Sequence, residues 1–135
     1  MAVVGKTVVT LRLFGDDLDP AEVTQLLGAE PTAFGRKGDV RTIASGRTVT
    51  SRSGSWRLSA EDCSPGDLNG QLQELFSRLT QDLTVWQELK RRYECDVFCG
   101  LFLHGGNEGE ELQPETLSML GVRGLALGLD IYDSG

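Results

Sequence analysis

Residues 96–104 (DVFCGLFLH) are apolar on both alternating faces, and this pattern constrains the fold more than any other feature of the sequence. In an extended strand Val97, Cys99 and Leu101 would project to one side, while Phe98 and Phe102 would project to the other. A strand that faces water on one side normally alternates apolar and polar residues. The segment is therefore predicted to be a central strand covered on both faces.

Other strands are predicted from alternation with a period of two. Residues 7–14 place apolar side chains on one face and Thr10 and Arg12 on the other, and residues 125–132 alternate until almost the end of the chain. The polar, β-prone segment between them has turn signals at Ser45-Gly46 and Ser53-Gly54. It is predicted to form strands over residues 40–44, 47–51 and 55–59.

Three helices are predicted from caps and apolar spacing. Asp19 suits the N-cap of the first helix, Pro20 its first position and Gly28 its end, with Glu22 bonding back to the cap. Its buried stripe is expected to be Val23, Leu26 and Leu27. A long helix is predicted over residues 68–92 with a bend near Thr80 or Asp82, and a short one over residues 115–120.

These elements predict one α+β domain over residues 1–135. The sheet is expected to be mixed and largely antiparallel, with helices packed mainly on one face and split βαβ elements of the ferredoxin-like kind plus an added αβ unit. The N-terminus lacks the features of a signal peptide, and no segment has the ~20 apolar residues of a membrane span. We therefore expect a soluble, cytoplasmic protein without a membrane partner.

The three cysteines, Cys63, Cys95 and Cys99, are interpreted as reduced thiols. Cys95 and Cys99 would share one strand face at a separation of ~13 Å. A disulfide requires Cα atoms within ~7 Å. No disulfide, metal site or cofactor is predicted.

Charge is distributed unevenly along the chain. The net charge is −7, yet the segment from Arg36 to Arg57 carries six basic residues and one acidic residue, Asp39. The overall acidity argues against nucleic acid as a partner, whereas the local excess is compatible with a small anionic partner. The alternative is a solvated face whose cations pair with surplus acids. The candidate binding residues of this segment are Arg36, Lys37, Arg41, Arg47 and Arg52.

Two further features are candidate parts of a site. Asp16 and Asp17 lie at a strand-to-helix turn, where their side chains can stabilise the backbone, and their spacing lacks the pattern of a calcium loop. His104 is the only histidine and ends a strand beside a glycine pair. A small-ligand or enzyme site would gather Asp16, Asp17, Lys37 and His104, although a structural role is the simpler interpretation of each.

Five strings that span nearly the whole chain carry a resemblance to a known family: TLRLFGDDLDPAEVTQLLGAEPT, RKGD, GSWRLS, DVFCGLF and LQPETLSMLGVRGLALGLDIY. Through these strings the chain resembles the bacterial family called Domain of Unknown Function 4279. The resemblance implies a single-domain soluble bacterial protein and supplies no activity, cofactor or catalytic residue. Gln113, before Pro114, departs from the residue types expected at a helix N-cap.

The first functional hypothesis is a non-enzymatic module that binds another protein, with an anti-toxin-like or other regulatory role. Small size, acidity and the lack of a catalytic motif motivate it. The alternative is a small-ligand binder or enzyme with the four-residue site described above. A third hypothesis is a structural domain or an oligomer building block. The sequence does not predict the oligomeric state.

Overall fold

A computed structural model describes residues 2–134 of the chain. Within that range the helices are α1 (Pro20–Leu27), α2 (Leu68–Ser77), α3 (Leu83–Arg92) and α4 (Pro114–Val122). The strands are β1 (Ala2–Val3), β2 (Lys6–Gly15), β3 (Ala33–Gly35), β4 (Val40–Thr42), β5 (Thr48–Thr50), β6 (Gly54–Ser59), β7 (Glu94–Phe102), β8 (Glu108–Gly109) and β9 (Ala126–Tyr132).

The main sheet has five strands in the order β3-β6-β2-β7-β9. All neighbours are antiparallel except β7 and β9, which are parallel and joined through α4. Strands β4 and β5 form a separate hairpin, and β1 pairs with β8. The prediction of one α+β domain with a mixed, mostly antiparallel sheet is confirmed.

The core lies between the sheet and the four helices. Alternate residues of β2, β6 and β7 are buried on one face, and all four helices contribute side chains to the same cluster, including Leu27, Leu72, Trp86 and Leu120. On the opposite face of these strands most of the described side chains are only half-buried or exposed, and we call it the open face. This one-sided burial is what helices packed mainly on one face of the sheet would produce.

The open face corrects the prediction that the strand over residues 96–104 is covered on both sides. Strand β7 is interior, but its second face is only half-buried. The Arg12 guanidinium lies 4.8 Å from the Phe98 ring, and the Tyr132 ring stacks on Phe102 at 4.5 Å. Aromatic side chains in this strand are thus shielded by a cation and another ring, not by a second layer of helices.

Helix α1 has the predicted cap but a different buried stripe. The Ala21 amide donates to the Asp19 carboxylate over 3.1 Å, and Gly28 ends the helix with a φ of 84°. Val23 and Leu27 are fully buried, whereas Leu26 is only half-buried. Among the described residues the Glu22 carboxylate does not accept from the cap backbone; it accepts from Arg92 of α3 over 2.6 Å.

The predicted long helix is two helices. The chain leaves the helix after Ser77 and re-enters at Leu83, where the Asp82 carboxylate accepts from the Thr84 amide over 3.0 Å as an N-cap. The Trp86 indole donates to the Thr80 carbonyl over 3.0 Å, and the Thr80 amide donates to the Leu27 carbonyl over 2.8 Å. These bonds satisfy the backbone of the break, which lies where the sequence predicted a bend.

The structure also differs from the sequence-based prediction at two strands. Strand β3 falls in a segment where no strand is predicted, and it pairs with β6 over three residues. The apolar stripe of β9 extends beyond the core: Leu125 is buried, but Leu129 and Ile131 are 53% and 60% exposed. In the described range no helix is long and apolar enough to cross a membrane.

Candidate functional site

The hairpin of β4 and β5 is held at the edge of the main sheet by its base. Gly46 adopts a left-handed φ of 85° and donates to the Ile43 carbonyl, which forms the predicted turn. At the base the Gly38 amide donates to Ser51 over 2.8 Å, and the Ser51 amide donates to Asp39 over the same distance. These bonds extend the pairing of the two arms of the hairpin to residues 38 and 51, which adjoin the ends of β3 and β6 in the chain.

Two ion pairs fasten the start of this segment to the turn between β2 and α1. The Arg36 guanidinium lies 2.8 Å from the Asp19 carboxylate, and the Lys37 ammonium lies 3.1 Å from that of Asp16. All four side chains are substantially exposed. The pairs position the segment, but each stabilises the fold by no more than about 1 kcal/mol.

A cleft of about 490 Å³ lies between the hairpin and the open face of the sheet. Its apolar lining comes from Phe14, Ala33, Phe34 and Val40. Its polar lining consists of three arginines, three serines and one carboxylate: Arg41, Arg52, Arg57, Ser51, Ser53, Ser55 and Asp39. The cleft thus combines an excess of guanidinium groups with hydroxyl donors and an aromatic wall.

The arginines of this cleft are not neutralised by the protein. Among residues 2–134, Arg41, Arg52 and Arg57 form no salt bridge, whereas seven other cations do. The Asp39 carboxylate accepts from the Arg36 amide over 2.8 Å. The chain has a net charge of −7. Three unpaired guanidiniums at one cleft therefore make the electrostatic potential there positive on an otherwise negative surface.

One arginine of the cleft is held over an aromatic ring. The Arg57 guanidinium lies 5.3 Å from the centroid of the Phe14 ring, and Arg12 lies 5.4 Å from the same centroid. Arg12 is itself fixed by two hydrogen bonds to Asp96, of 2.9 and 2.8 Å, which raise the pKa of its guanidinium. The ring limits the freedom of Arg57, while its hydrogen-bond donors have no partner among residues 2–134.

The structure brings only part of the predicted binding set together. Arg41 and Arg52 line the cleft, and Arg47 is exposed near the hairpin turn outside its lining. Arg36 and Lys37 lie at the base of the hairpin in the ion pairs described above. The residues that sequence reasoning missed are Arg57, which it counted as basic but did not select, and Phe14. The sequence contains a signal for both residues, because strand alternation places Arg57 and Phe14 on the face opposite the buried residues of their strands.

The alternative four-residue site is not assembled. Asp16 and Lys37 meet, and Asp17 is exposed in the same turn. His104 follows the end of β7 that pairs with Lys6, whereas Asp16 follows the opposite end of β2. The ten residues of β2 separate these two ends by ~30 Å. The His104 ring instead lies over Gly5, and its amide donates to Glu108 over 2.8 Å.

The cysteines lie outside the cleft. Cys95 and Cys99 are buried on the helix-covered face of β7, as predicted, and burial raises the pKa of their thiols to about 11 and about 12. Burial and nearby carboxylates, Asp67 first among them, also raise the pKa of Cys63. Thiols held in the protonated form are poor nucleophiles and poor metal ligands. No cluster of potential metal ligands occurs within residues 2–134.

Comparison with known proteins identifies a family. The family model of the domain of unknown function DUF4279 matches residues 5–134, which is nearly the whole chain. No curated protein and no solved structure matches the chain significantly. The comparison therefore supplies a family and leaves the chemistry of the cleft as the basis for a function.

Proposed function

The chain belongs to the DUF4279 family, whose function is unknown, and we propose that it is a non-catalytic module that binds an acidic segment of a partner protein. The segment lies in the cleft between the β4–β5 hairpin and the open face of the sheet. The observation that carries the proposal is the set of unpaired guanidiniums of Arg41, Arg52 and Arg57 around one cleft of an acidic protein. A cytoplasmic location and a regulatory role, of the anti-toxin-like kind or another, are parts of the same proposal.

The chemistry of the three arginines favours carboxylates. A guanidinium presents a planar fork of N–H donors that matches the two oxygens of a carboxylate and forms charge-assisted hydrogen bonds. Ser51, Ser53 and Ser55 supply neutral donors within the same cleft. An acidic side chain entering here would meet positive potential, while the rest of the surface would repel it.

The apolar rim favours a protein segment as the source of the carboxylates. Phe34 and Val40 line the cleft and are 67% and 66% exposed. Aromatic and arginine side chains are enriched in protein interfaces, where apolar contacts supply affinity and charge supplies orientation. A polyanion such as nucleic acid would instead have to overcome the net charge of −7, so the proposal excludes it.

We also propose that the domain has split βαβ elements of the ferredoxin-like kind. In an α+β domain whose helices share one face, the other face of the sheet is available to a ligand. Here Arg12, Phe14 and Arg57 line that face next to the cleft. We propose that the acidic segment continues from the cleft onto this row of side chains.

The test uses a fluorescein-labelled peptide of alternating Asp and Glu residues with one central Phe, and measures its anisotropy against the full-length protein. Binding is expected at low salt and should weaken steadily as salt rises. The variant Arg41→Ser/Arg52→Ser/Arg57→Ser should lose at least about tenfold in affinity, since charge-assisted hydrogen bonds typically contribute ~1.5–3 kcal/mol. Its melting temperature should stay close to that of the wild type, because these arginines form no ion pair with any other residue that the structure describes.

The matched control is Lys6→Ser/Arg78→Ser/Lys90→Ser, which removes the same charge outside the cleft and should leave affinity within about twofold. A peptide in which Gln and Asn replace the acids should not bind. Equal loss in both triple variants would mean that only net charge acts, and the proposal would be wrong. If citrate binds the wild type while the peptide does not, the cleft takes a small anion and the protein-segment proposal fails.

A further inference from the structure

The edge of the main sheet opposite the cleft is a free strand. Strand β9 pairs with β7 alone among the described residues. The Tyr132 carbonyl accepts from the Leu103 amide over 2.9 Å and so faces β7. Because alternate residues of a strand direct their backbone groups to the same side, Leu127, Leu129 and Ile131 direct theirs away from the sheet.

This edge lacks the features that normally prevent strand pairing. Exposed edges are usually short, or carry Lys, Pro or a bulge. At the other edge, β3 has three residues, whereas β9 has seven in continuous register with β7. It contains neither Lys nor Pro, and its one charged residue is Asp130. Leu129 and Ile131 are more than half exposed on the side of the sheet that carries the helices.

We propose that a second copy of this chain pairs with the β9 edge, antiparallel and about a two-fold axis through Leu129. The two sheets then join into one of ten strands. In this register Leu129 faces its own counterpart, and Leu127 and Ile131 face each other on both sides of the axis. The outward backbone groups of all three residues are satisfied at once, as three hydrogen-bonded pairs.

The side-chain pattern of β9 favours this register, and it favours a second copy of the chain as the pairing partner. With the axis at Leu129, Asp130 lies opposite Gly128, and every residue opposite on the helix side is Leu or Ile. If the axis moved one residue along the chain, Asp130 would lie opposite Asp130, which is destabilising. A strand whose apolar residues match themselves under a two-fold rotation fits a second copy, since such an interface uses the same patch on both partners.

Helix α4 adds apolar surface near the same edge. It contacts β9, and its Leu117 and Val122 are both 53% exposed. The net charge of −7 on each copy opposes association. Salt screens this repulsion, so the dimer should strengthen with salt, whereas binding of an acidic peptide in the cleft should weaken. The two proposals therefore fail independently.

Sedimentation equilibrium of the full-length wild type is expected to give a dimer. Leu129→Lys places a charge on the axis and should shift the protein to monomer, while Val3→Lys, at a site 48% exposed on β1, should leave it dimeric. Arg41→Ser/Arg52→Ser/Arg57→Ser should also remain dimeric. A wild type that sediments as a monomer at high salt overturns the inference.

Disulfide crosslinking tests the register directly, and its readout does not depend on a variant that destabilises the fold. In a Cys63→Ser background, Leu129→Cys brings two thiols together at the axis, where paired Cα atoms lie ~5.5 Å apart and a disulfide can form. The matched change Leu127→Cys places its two thiols four residues out of register, ~13 Å apart, and should not crosslink. Crosslinking at both positions, or at Leu127→Cys alone, would contradict the proposed pairing.

Discussion

Truncating Leu27 should destabilise the protein far more than truncating its neighbour Leu26, although both belong to the apolar stripe of α1. Leu27 is completely buried, whereas Leu26 is half-buried at the margin of the core. Leu27→Ala leaves a cavity within packed side chains and should cost about 3–5 kcal/mol. Leu26→Ala removes only part of a contact with the core, and we expect a cost of about 1 kcal/mol.

The cap of the same helix provides a reference of known chemistry. Asp19→Ala removes the hydrogen bond to the Ala21 amide, for about 1 kcal/mol, and the exposed pair with Arg36, for up to about 1 kcal/mol more. Asp19→Asn keeps the cap and removes the charge. Asp19→Asn should therefore lower the free energy of unfolding by less than Asp19→Ala does.

Urea titration at equilibrium measures all four variants by one method. The slope of free energy against urea should be unchanged, so that midpoints report stability. The expected order of cost is Leu27→Ala, then Asp19→Ala, then Asp19→Asn, with Leu26→Ala close to the cap variants. Equal costs for the two leucines would refute the burial on which this order rests.

Three other predictions follow from burial and pairing. Alkylation of the native protein should modify Cys63 slowly and spare Cys95 and Cys99 until urea is added, and mass spectrometry would show one adduct and then three. Because the pKa of Cys99 is raised from 9.0 to about 12 in the folded state, unfolding releases its proton above pH 9, so stability should fall as pH rises from there and fall less in Cys99→Ala. Arg12→Lys should cost about 1 kcal/mol in urea titration, since an ammonium cannot keep both hydrogen bonds to Asp96; no measurable cost would contradict the paired geometry.

The sequence predicted those elements whose pattern is local. Strands β2, β7 and β9 alternate over many residues, and α1 has Asp19, Pro20 and Gly28 at its ends. Strand β3 was missed because three residues carry no measurable periodicity and are extended only through pairing with β6. The helix over residues 68–92 was predicted as continuous because the apolar spacing continues across the break that Asp82 caps.

The site was less predictable because its character depends on pairings between distant segments. Charge counting identified the basic segment but did not show that Arg36 and Lys37 are neutralised by acids 17 and 21 residues away. It also could not show that β6 brings Arg57 beside Phe14, since that contact follows from the register of β2 and β6. The unpaired arginines emerge only when those pairs are known.

The proposed cleft and the proposed dimer edge lie at opposite ends of the same sheet, and this arrangement has a consequence for binding. Four strand spacings separate β3 from β9, or ~19 Å at ~4.8 Å each. A dimer joined through β9 would place its two clefts at the outer ends of a ten-strand sheet, ~43 Å apart before twist is considered. Each cleft should then bind its peptide independently, and one partner carrying two acidic segments should bind more tightly if its linker spans that distance. Titration of the dimer crosslinked through Leu129→Cys should give two equivalent sites. A single site per dimer would mean that the clefts are not independent, and that the acidic segment contacts the strands between them.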